Sequence, residues 1–136
     1  MKVFISHSQE AKPLTRRLIE ALKRSGLEVW DDDYDIYPGD NWAKLTGQAL
    51  EEAEAMVVLL TPGALKSTTM QREVSFALVN KQFKNRVIPV LVGLDQRRAY
   101  NKFPWIIRYL KTITIPASDK QDDGINQITQ ALQAVA

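Results

Sequence analysis

The 136-residue sequence predicts an α/β fold, a flavodoxin-like three-layer sandwich on a five-stranded parallel sheet in the order 2-1-3-4-5. Short β-rich runs alternate with segments whose apolar residues recur at helical spacing, as in parallel sheets with right-handed crossovers. The runs "MVVLLT" (56–61) and "RVIPVLV" (86–92) are apolar without alternation, which is typical of strands buried on both faces. These observations predict a single domain over residues 1–136, and the same ends also suit a module of a longer protein.

The first part of the chain predicts a strand, a helix and a second strand. The run "KVFIS" (2–6) is β-rich, and the segment after it carries apolar residues at helical spacing: Leu14, Leu18, Ile19 and Leu22. The helix ends before Gly26, because glycine readily takes the left-handed conformation that closes a helix. "LEVW" (27–30) then predicts the second strand.

A long polar loop precedes the second helix. The segment "DDDYDIYPGDNW" (31–42) contains proline and glycine and is unusually long for a connection between packed elements, which favours a functional loop. The aspartates at 31–33 predict mainly a solvent-exposed stretch, with contacts to ribose or within the loop as the alternative. Asp40 or Asn41 can cap the helix "WAKLTGQALEEAEA" (42–55), and Trp42 is either a core anchor or the wall of a pocket.

The second half continues the alternation of strands and helices. Thr68 and Gln71 have the spacing of a capping box, which predicts a helix over 70–81. Pro89 lies inside the fourth strand and indicates either an open side of this strand or a bulge there. "TITIP" (112–116) predicts an edge strand, and "DGINQITQALQAV" (123–135) predicts a last amphipathic helix.

The candidate site follows from this topology. In doubly wound sheets, ligands bind outside the carboxyl ends of the strands, near the point where the strand order reverses. The residues predicted at that edge are Ser6, His7 and Ser8 after the first strand, the loop 31–42, and the segment 61–69. His7 is the sole histidine and is a candidate for ligand contact or, less favourably, for proton transfer.

Glu73 overlooks the same crevice from the first turns of its helix. It lies at the rim of the buried stripe that the helical spacing defines: Met70, Val74, Ala77 and Leu78. A negative side chain near a helix N-terminus is stabilised by the helix dipole. A purely structural role for Glu73, or an ion pair with Lys66 or Arg72, therefore stays open.

Composition excludes several classes of function. The net charge of +2 gives no long-range field for nucleic acid or an anionic membrane, so neither partner is expected. The absence of cysteine excludes disulfides and thiolate chemistry and favours a cytoplasmic protein. The sequence shows no signal peptide, no apolar run of about 18 residues and no glycine-rich phosphate-binding motif, so no membrane segment and no tightly bound nucleotide cofactor are predicted.

The acidic run at 31–35 raises the alternative of a metal-dependent phosphoacceptor domain, which has the same topology. Such a receiver domain needs an acidic pair after the first strand, an aspartate after the third and a lysine after the last long strand. The chain has "SHS", "TPG" and "GLD" at these places. The receiver interpretation fails at each of them, and no metal site is predicted.

Four segments of the sequence together resemble the Toll/interleukin receptor (TIR) domain family, in its bacterial, NAD-cleaving branch. They are "VFISHS", "GLEVWDDDYDIYPGDNW", "ALEEAEAMVVLLTPGALKS" and "STTMQREVSFAL", and the likeness covers residues 2–92, with a looser likeness beyond. The resemblance implies that the loop with Tyr37, Pro38, Gly39 and Asp40 serves self-association. Other TIR domains are the implied partners, in a homo-oligomer or filament.

The resemblance also implies that NAD+ is a substrate, that no cofactor is needed and that Glu73 is the catalytic carboxylate. In the family this glutamate follows a serine by six residues, in the pattern S-x-W-x-x-x-E, and Ser67 and Glu73 keep the spacing. Thr69 stands in the tryptophan position, which removes an aromatic wall. The substrate-binding residues predicted on this basis are Ser6, His7, Ser8, Asp32, Trp42, Ser67 and Thr69.

A single carboxylate is enough for this chemistry. Glycosidases use two because the leaving oxygen must be protonated, whereas the nicotinamide of NAD+ is already cationic and leaves neutral. Glu73 would stabilise the oxocarbenium-like transition state. The predicted function is an NAD+ glycohydrolase of bacterial defence or signalling that releases nicotinamide and ADP-ribose or a cyclic isomer; the alternative is a TIR–TIR assembly module without turnover.

Overall fold

Five parallel strands form one sheet in the order β2-β1-β3-β4-β5 in the computed structural model, which describes residues 1–31, 38–94, 110–117 and 119–136. The strands are β1 (Lys2–Ser6), β2 (Glu28–Trp30), β3 (Ala55–Leu60), β4 (Val87–Val92) and β5 (Ile113–Ile115). The predicted flavodoxin-like fold and strand order are thereby confirmed, with β5 at the predicted edge. The strand order reverses between β1 and β3, which places the crevice of such folds beside the end of β1.

The α-helices of the described residues match the four predicted helical segments. They are α1 (Lys12–Arg24), α2 (Trp42–Glu52), α3 (Thr68–Val79) and α4 (Asp122–Val135). None of these helices is long and apolar enough to cross a lipid bilayer, a finding that covers the described parts of the chain. Most of the predicted irregular stretch at 93–111 lies outside the described residues, as do Asp32 and Tyr37.

The sheet is covered on both faces, which gives the three predicted layers. Val3 and Ile5 of β1 face a core formed with α1 and α4, whereas Phe4 faces a core formed with α2 and α3. Every residue of β3 is buried, as its uninterrupted apolar run predicts. Burying each large apolar side chain contributes about 1.5–3 kcal/mol, so the central strand anchors the edge where the site lies.

The start of each helix near the crevice is fixed by a side-chain cap. Asn41 Oδ1 accepts a hydrogen bond from Lys44 N at 3.1 Å, which settles the choice between Asp40 and Asn41. Ser67 Oγ accepts from Met70 N at 3.1 Å, so the predicted capping box at Thr68 is wrong by one residue. The reason is that Ser67 keeps an extended backbone while Thr68 is already helical.

The backbone nitrogen of Pro89 faces a side of β4 that is open at this residue, which is one of the predicted arrangements. Arg86 O accepts from Met56 N of β3, and the alternation of backbone groups along a strand turns the Pro89 nitrogen toward β5. The pairing with β5 begins only at Val90. The missing N–H of proline therefore costs no ladder bond.

Candidate active site

Three consecutive side chains at the end of β1 each bond to a different element of the fold. Ser6 Oγ donates to Glu73 Oε1 of α3 at 2.7 Å, and Ser8 Oγ lies 2.9 Å from Thr61 Oγ1 after β3. His7 Nε2 lies 2.6 Å from Asp31 Oδ1, directly after β2. The tripeptide Ser6-His7-Ser8 therefore ties together the carboxyl ends of three neighbouring strands and the start of α3.

Glu73 is a buried carboxylate, with 7% of its surface exposed. It is the sixth residue of α3, and the Ser67 cap fixes the register of that helix against the sheet. The hydroxyl of Ser6 donates to one carboxylate oxygen and so fixes the orientation of the group. A buried carboxylate oriented in this way can face a developing positive charge without reorganising.

Glu73 lines a cleft of about 720 Å³ at the carboxyl edge of the sheet, a size usual for small-molecule sites. The other residues that line it are Ile5, His7, Ser8, Gln9, Glu10, Trp42, Gly63, Ser67, Thr69 and Met70. Of the predicted substrate-binding residues, all but two line this cleft. Ser6 reaches it through its bond to Glu73, and Asp32 lies outside the described residues.

The aromatic surface of the cleft comes from α2. Trp42 lines the cleft and is 44% exposed, so of its two predicted roles the pocket wall fits and the core anchor does not. Thr69 lines the same cleft from α3, where the tryptophan of the family pattern is missing. A ligand would therefore meet an aromatic side chain on the α2 side and a small polar one on the α3 side.

The part of the predicted self-association loop that the structure describes is open to solvent. Pro38, Gly39 and Asp40 are all exposed, and Gly39 has a φ of 91°, a conformation that favours glycine. Tyr37, the fourth residue of that prediction, lies outside the described residues. Self-association of this loop stays a prediction.

The geometry of His7 disfavours a role as a general base. Its Nδ1 lies 3.0 Å from Ser8 O and its Nε2 lies 2.6 Å from Asp31 Oδ1. Both ring nitrogens are therefore occupied by oxygen atoms of the protein. A base needs a free nitrogen within reach of the proton that it takes.

Asp31 belongs to the loop predicted at this edge, but its contact with His7 was not predicted. It is 2% exposed, so its assignment to a solvent-exposed acidic stretch is wrong. The acidic composition of the run predicts that Asp31 is exposed to solvent. However, β2 pairs with β1, and Asp31 and His7 directly follow the ends of these neighbouring strands, so the two side chains meet. The predicted strand order already places β2 beside β1, so this pair could have been predicted from it.

Glu10 is a second carboxylate of the cleft that the sequence did not single out. Its Oε1 accepts a hydrogen bond from Gly63 N, so it joins the turn after β1 to the turn after β3.

Among the residues that the structure describes, no cluster of three or more histidine or carboxylate side chains is placed to hold a metal ion.

Two curated bacterial relatives are enzymes by their names, one a synthase of 2' cyclic ADP-D-ribose and the other an NAD(+) hydrolase. The chain is 31% identical over 86 residues to the "2' cyclic ADP-D-ribose synthase BtTIR" of Bacteroides thetaiotaomicron, a match that covers 62% of this chain and 30% of that protein. It is 28% identical over 90 residues to the "NAD(+) hydrolase PdTIR" of Paracoccus denitrificans, covering 65% and 30%. The chain thus spans about a third of the length of these relatives.

A solved structure and a family model agree on the fold. The metazoan TIR-STING receptor from C. gigas superposes with a TM-score of 0.76 at 21% identity, over 96% of this chain and 38% of that one. At that identity the likeness shows the fold alone. The model of the TIR domain matches residues 3–129, and this chain therefore belongs to the TIR domain family.

Proposed function

We propose that this chain is an NAD+ glycohydrolase that uses Glu73 to cleave the bond between nicotinamide and ribose. One observation carries the proposal: a buried carboxylate, oriented by Ser6, lines the large cleft at the switch point of the sheet. The names of the two curated relatives support the same substrate. The proposal takes residues 1–136 as one TIR domain that acts in the cytoplasm, with NAD+ as substrate and no cofactor.

The reaction needs little beyond a fixed negative charge. When the bond from the ribose C1 atom to the pyridinium nitrogen breaks, both bonding electrons stay on nitrogen and neutral nicotinamide leaves. The ribose becomes oxocarbenium-like, and Glu73 stabilises that positive charge from the cleft wall. Water then adds to C1 and gives a proton to Glu73 or solvent, forming ADP-ribose; attack by a hydroxyl of the ADP-ribose itself gives a cyclic product.

A TIR–TIR assembly module is the second candidate function. Two observations favour it: Thr69 replaces an aromatic residue, and Trp42 beside the exposed loop 38–40 presents a large apolar surface. The two functions are compatible, because a neighbouring protomer can complete a site that is open in one chain. A homo-oligomer or filament would then be the active form.

Nicotinamide release at increasing protein concentration separates these functions. We expect the specific activity with NAD+ to rise with concentration, and to rise again when the domain is bound to an oligomerising support, because assembly completes the site. A domain that forms oligomers but releases no nicotinamide at any concentration would leave the assembly module as the function.

Trp42→Ala is expected to weaken self-association more than it weakens folding. Trp42 lies in the first turn of α2 with 44% of its surface exposed, so its removal deletes an apolar contact of the loop and little of the core. Sedimentation velocity should show at least a tenfold weaker association, with the melting temperature within about 2 °C of the wild type, as for other surface changes.

Val79→Ala is the matched control for Trp42→Ala. Val79 is the other large apolar residue that is exposed in the described part of the chain, at 80%, and it ends α3 away from the loop. We expect its association constant to stay at the wild-type value. Equal weakening in both variants would show that general surface hydrophobicity, not this loop, drives assembly. A large loss of thermal stability in Trp42→Ala would make its role structural.

A further inference from the structure

We propose that Asp31 is a positioning residue that holds His7 at the cleft through a proton shared between the two side chains. The pair lies at the carboxyl ends of β1 and β2, and only 9% of the His7 side chain and 2% of the Asp31 side chain are exposed. Only His7 of the pair lines the cleft. Asp31 therefore acts on the site through the ring that it orients.

The hydrogen-bond geometry fixes the number of protons in the pair. Ser8 O is a carbonyl oxygen and only accepts, so the contact of 3.0 Å places a proton on His7 Nδ1. An ionised Asp31 also only accepts, so the contact of 2.6 Å requires a proton between Oδ1 and Nε2. Together the two contacts hold one proton more than a neutral imidazole and a carboxylate possess.

The surroundings of the pair favour that additional proton. Asp31 is in direct contact with His7, and the other carboxylates that line the cleft are Glu10 and Glu73. Negative groups near an imidazole stabilise its cationic form. The two contacts therefore hold this proton in the structure, and raising the pH far enough removes it.

Loss of this proton removes one of the two bonds. A neutral ring carries a single N–H, so it can donate either to Asp31 or to Ser8 O but not to both. His7 then loses its fixed orientation at the cleft, while Glu73 keeps its bond to Ser6. On the proposed function, KM for NAD+ should rise about fivefold above the transition, the equivalent of one hydrogen bond, with a smaller change in kcat.

Asp31→Asn distinguishes a shared proton from a merely structural contact. An asparagine amide donates to an unprotonated Nε2 while Nδ1–H still donates to Ser8 O, so both bonds survive with a neutral ring. If the ring gains a proton, the amide oxygen can accept from Nε2–H instead, so neither form of the ring loses a bond. We expect KM for NAD+ in this variant to be independent of pH between about 6 and 9, the range around and above the free-imidazole value. Glu28→Gln, which removes an exposed carboxylate at the start of β2, at the opposite end of the strand from Asp31, should keep the pH dependence of the wild type.

Nitrogen NMR of the imidazole tests the pair without any turnover, because His7 is the sole histidine of the chain. We expect both ring nitrogens of the wild type to be protonated at neutral pH, and only Nδ1 in Asp31→Asn. A neutral ring in the wild type at pH 7, or the same pH dependence of KM in Asp31→Asn and the wild type, would overturn the proposal. Absence of NAD+ cleavage would instead contradict the proposed function, and the ring nitrogens would still decide the role of Asp31.

Discussion

Glu73→Gln is expected to lower kcat for nicotinamide release by about 10²–10³-fold, the usual effect of removing one preorganised charge from a transition state. Glutamine has nearly the same shape and its side-chain oxygen can still accept from Ser6, so the cleft should keep its form. What is lost is the negative charge that faces the oxocarbenium-like ribose. If the other residues of the cleft bind NAD+, as we propose, KM should change less than kcat.

Two further variants make this result specific. Ser6→Ala removes the hydroxyl that orients the carboxylate at 2.7 Å but leaves its charge, so we expect a smaller loss of about five- to tenfold, the scale of one hydrogen bond. Glu20→Gln removes an exposed carboxylate from α1 and should have the activity of the wild type. Abundant nicotinamide release by Glu73→Ala, with an unchanged circular dichroism spectrum, would refute the assignment of Glu73.

The topology could be predicted because it depends on long apolar patterns, each contained within one segment of the sequence. The uninterrupted apolar run of β3 allows little other than a central parallel strand, and the helical spacing of α1 and α4 gives one apolar face each. The alternation of elements and the handedness of their crossovers leave only a few strand orders, and the predicted order 2-1-3-4-5 is one of the common ones. The same order places the ends of β1 and β3 beside the start of α3, which is why most of the predicted site residues meet in one cleft.

The details that failed depend on contacts between distant parts of the chain. Asp31 belongs to an acidic run whose composition predicts exposure to solvent. The end of the neighbouring strand supplies His7, and the bond to it makes burial of the carboxylate favourable. Thr68 and Gln71 fit a capping pattern, but the chain enters α3 one residue earlier, at Ser67. Both errors concern the hydrogen-bond partner of a polar group. The spacing of residues within one segment does not determine that partner.

Gly124→Ala is expected to destabilise the fold by about 2 kcal/mol, which corresponds to a fall in melting temperature of about 4–8 °C. Gly124 lies in the first turn of α4, against β5. A Cβ atom there would lie 2.3 Å from Ile115 Cγ1 and 2.7 Å from its Cδ1, and Ile115 is fully buried. Either the helix must move away from the sheet or the isoleucine must leave its preferred rotamer, and both cost more than the helix propensity gained from alanine, about 1 kcal/mol.

Gly47→Ala is the matched control, with the opposite sign. Gly47 lies inside α2, and a Cβ atom there would meet no atom within 4 Å, so alanine should stabilise the protein by about 0.5–1 kcal/mol through helix propensity alone. If close packing on Ile115 is the cause at Gly124, the effect of Gly124→Ala should shrink or change sign when it is measured in an Ile115→Ala background. Thermal and urea unfolding of the wild type, Gly124→Ala, Ile115→Ala and the double variant gives this cycle. A Gly124→Ala protein as stable as Gly47→Ala would show that α4 does not pack closely on β5.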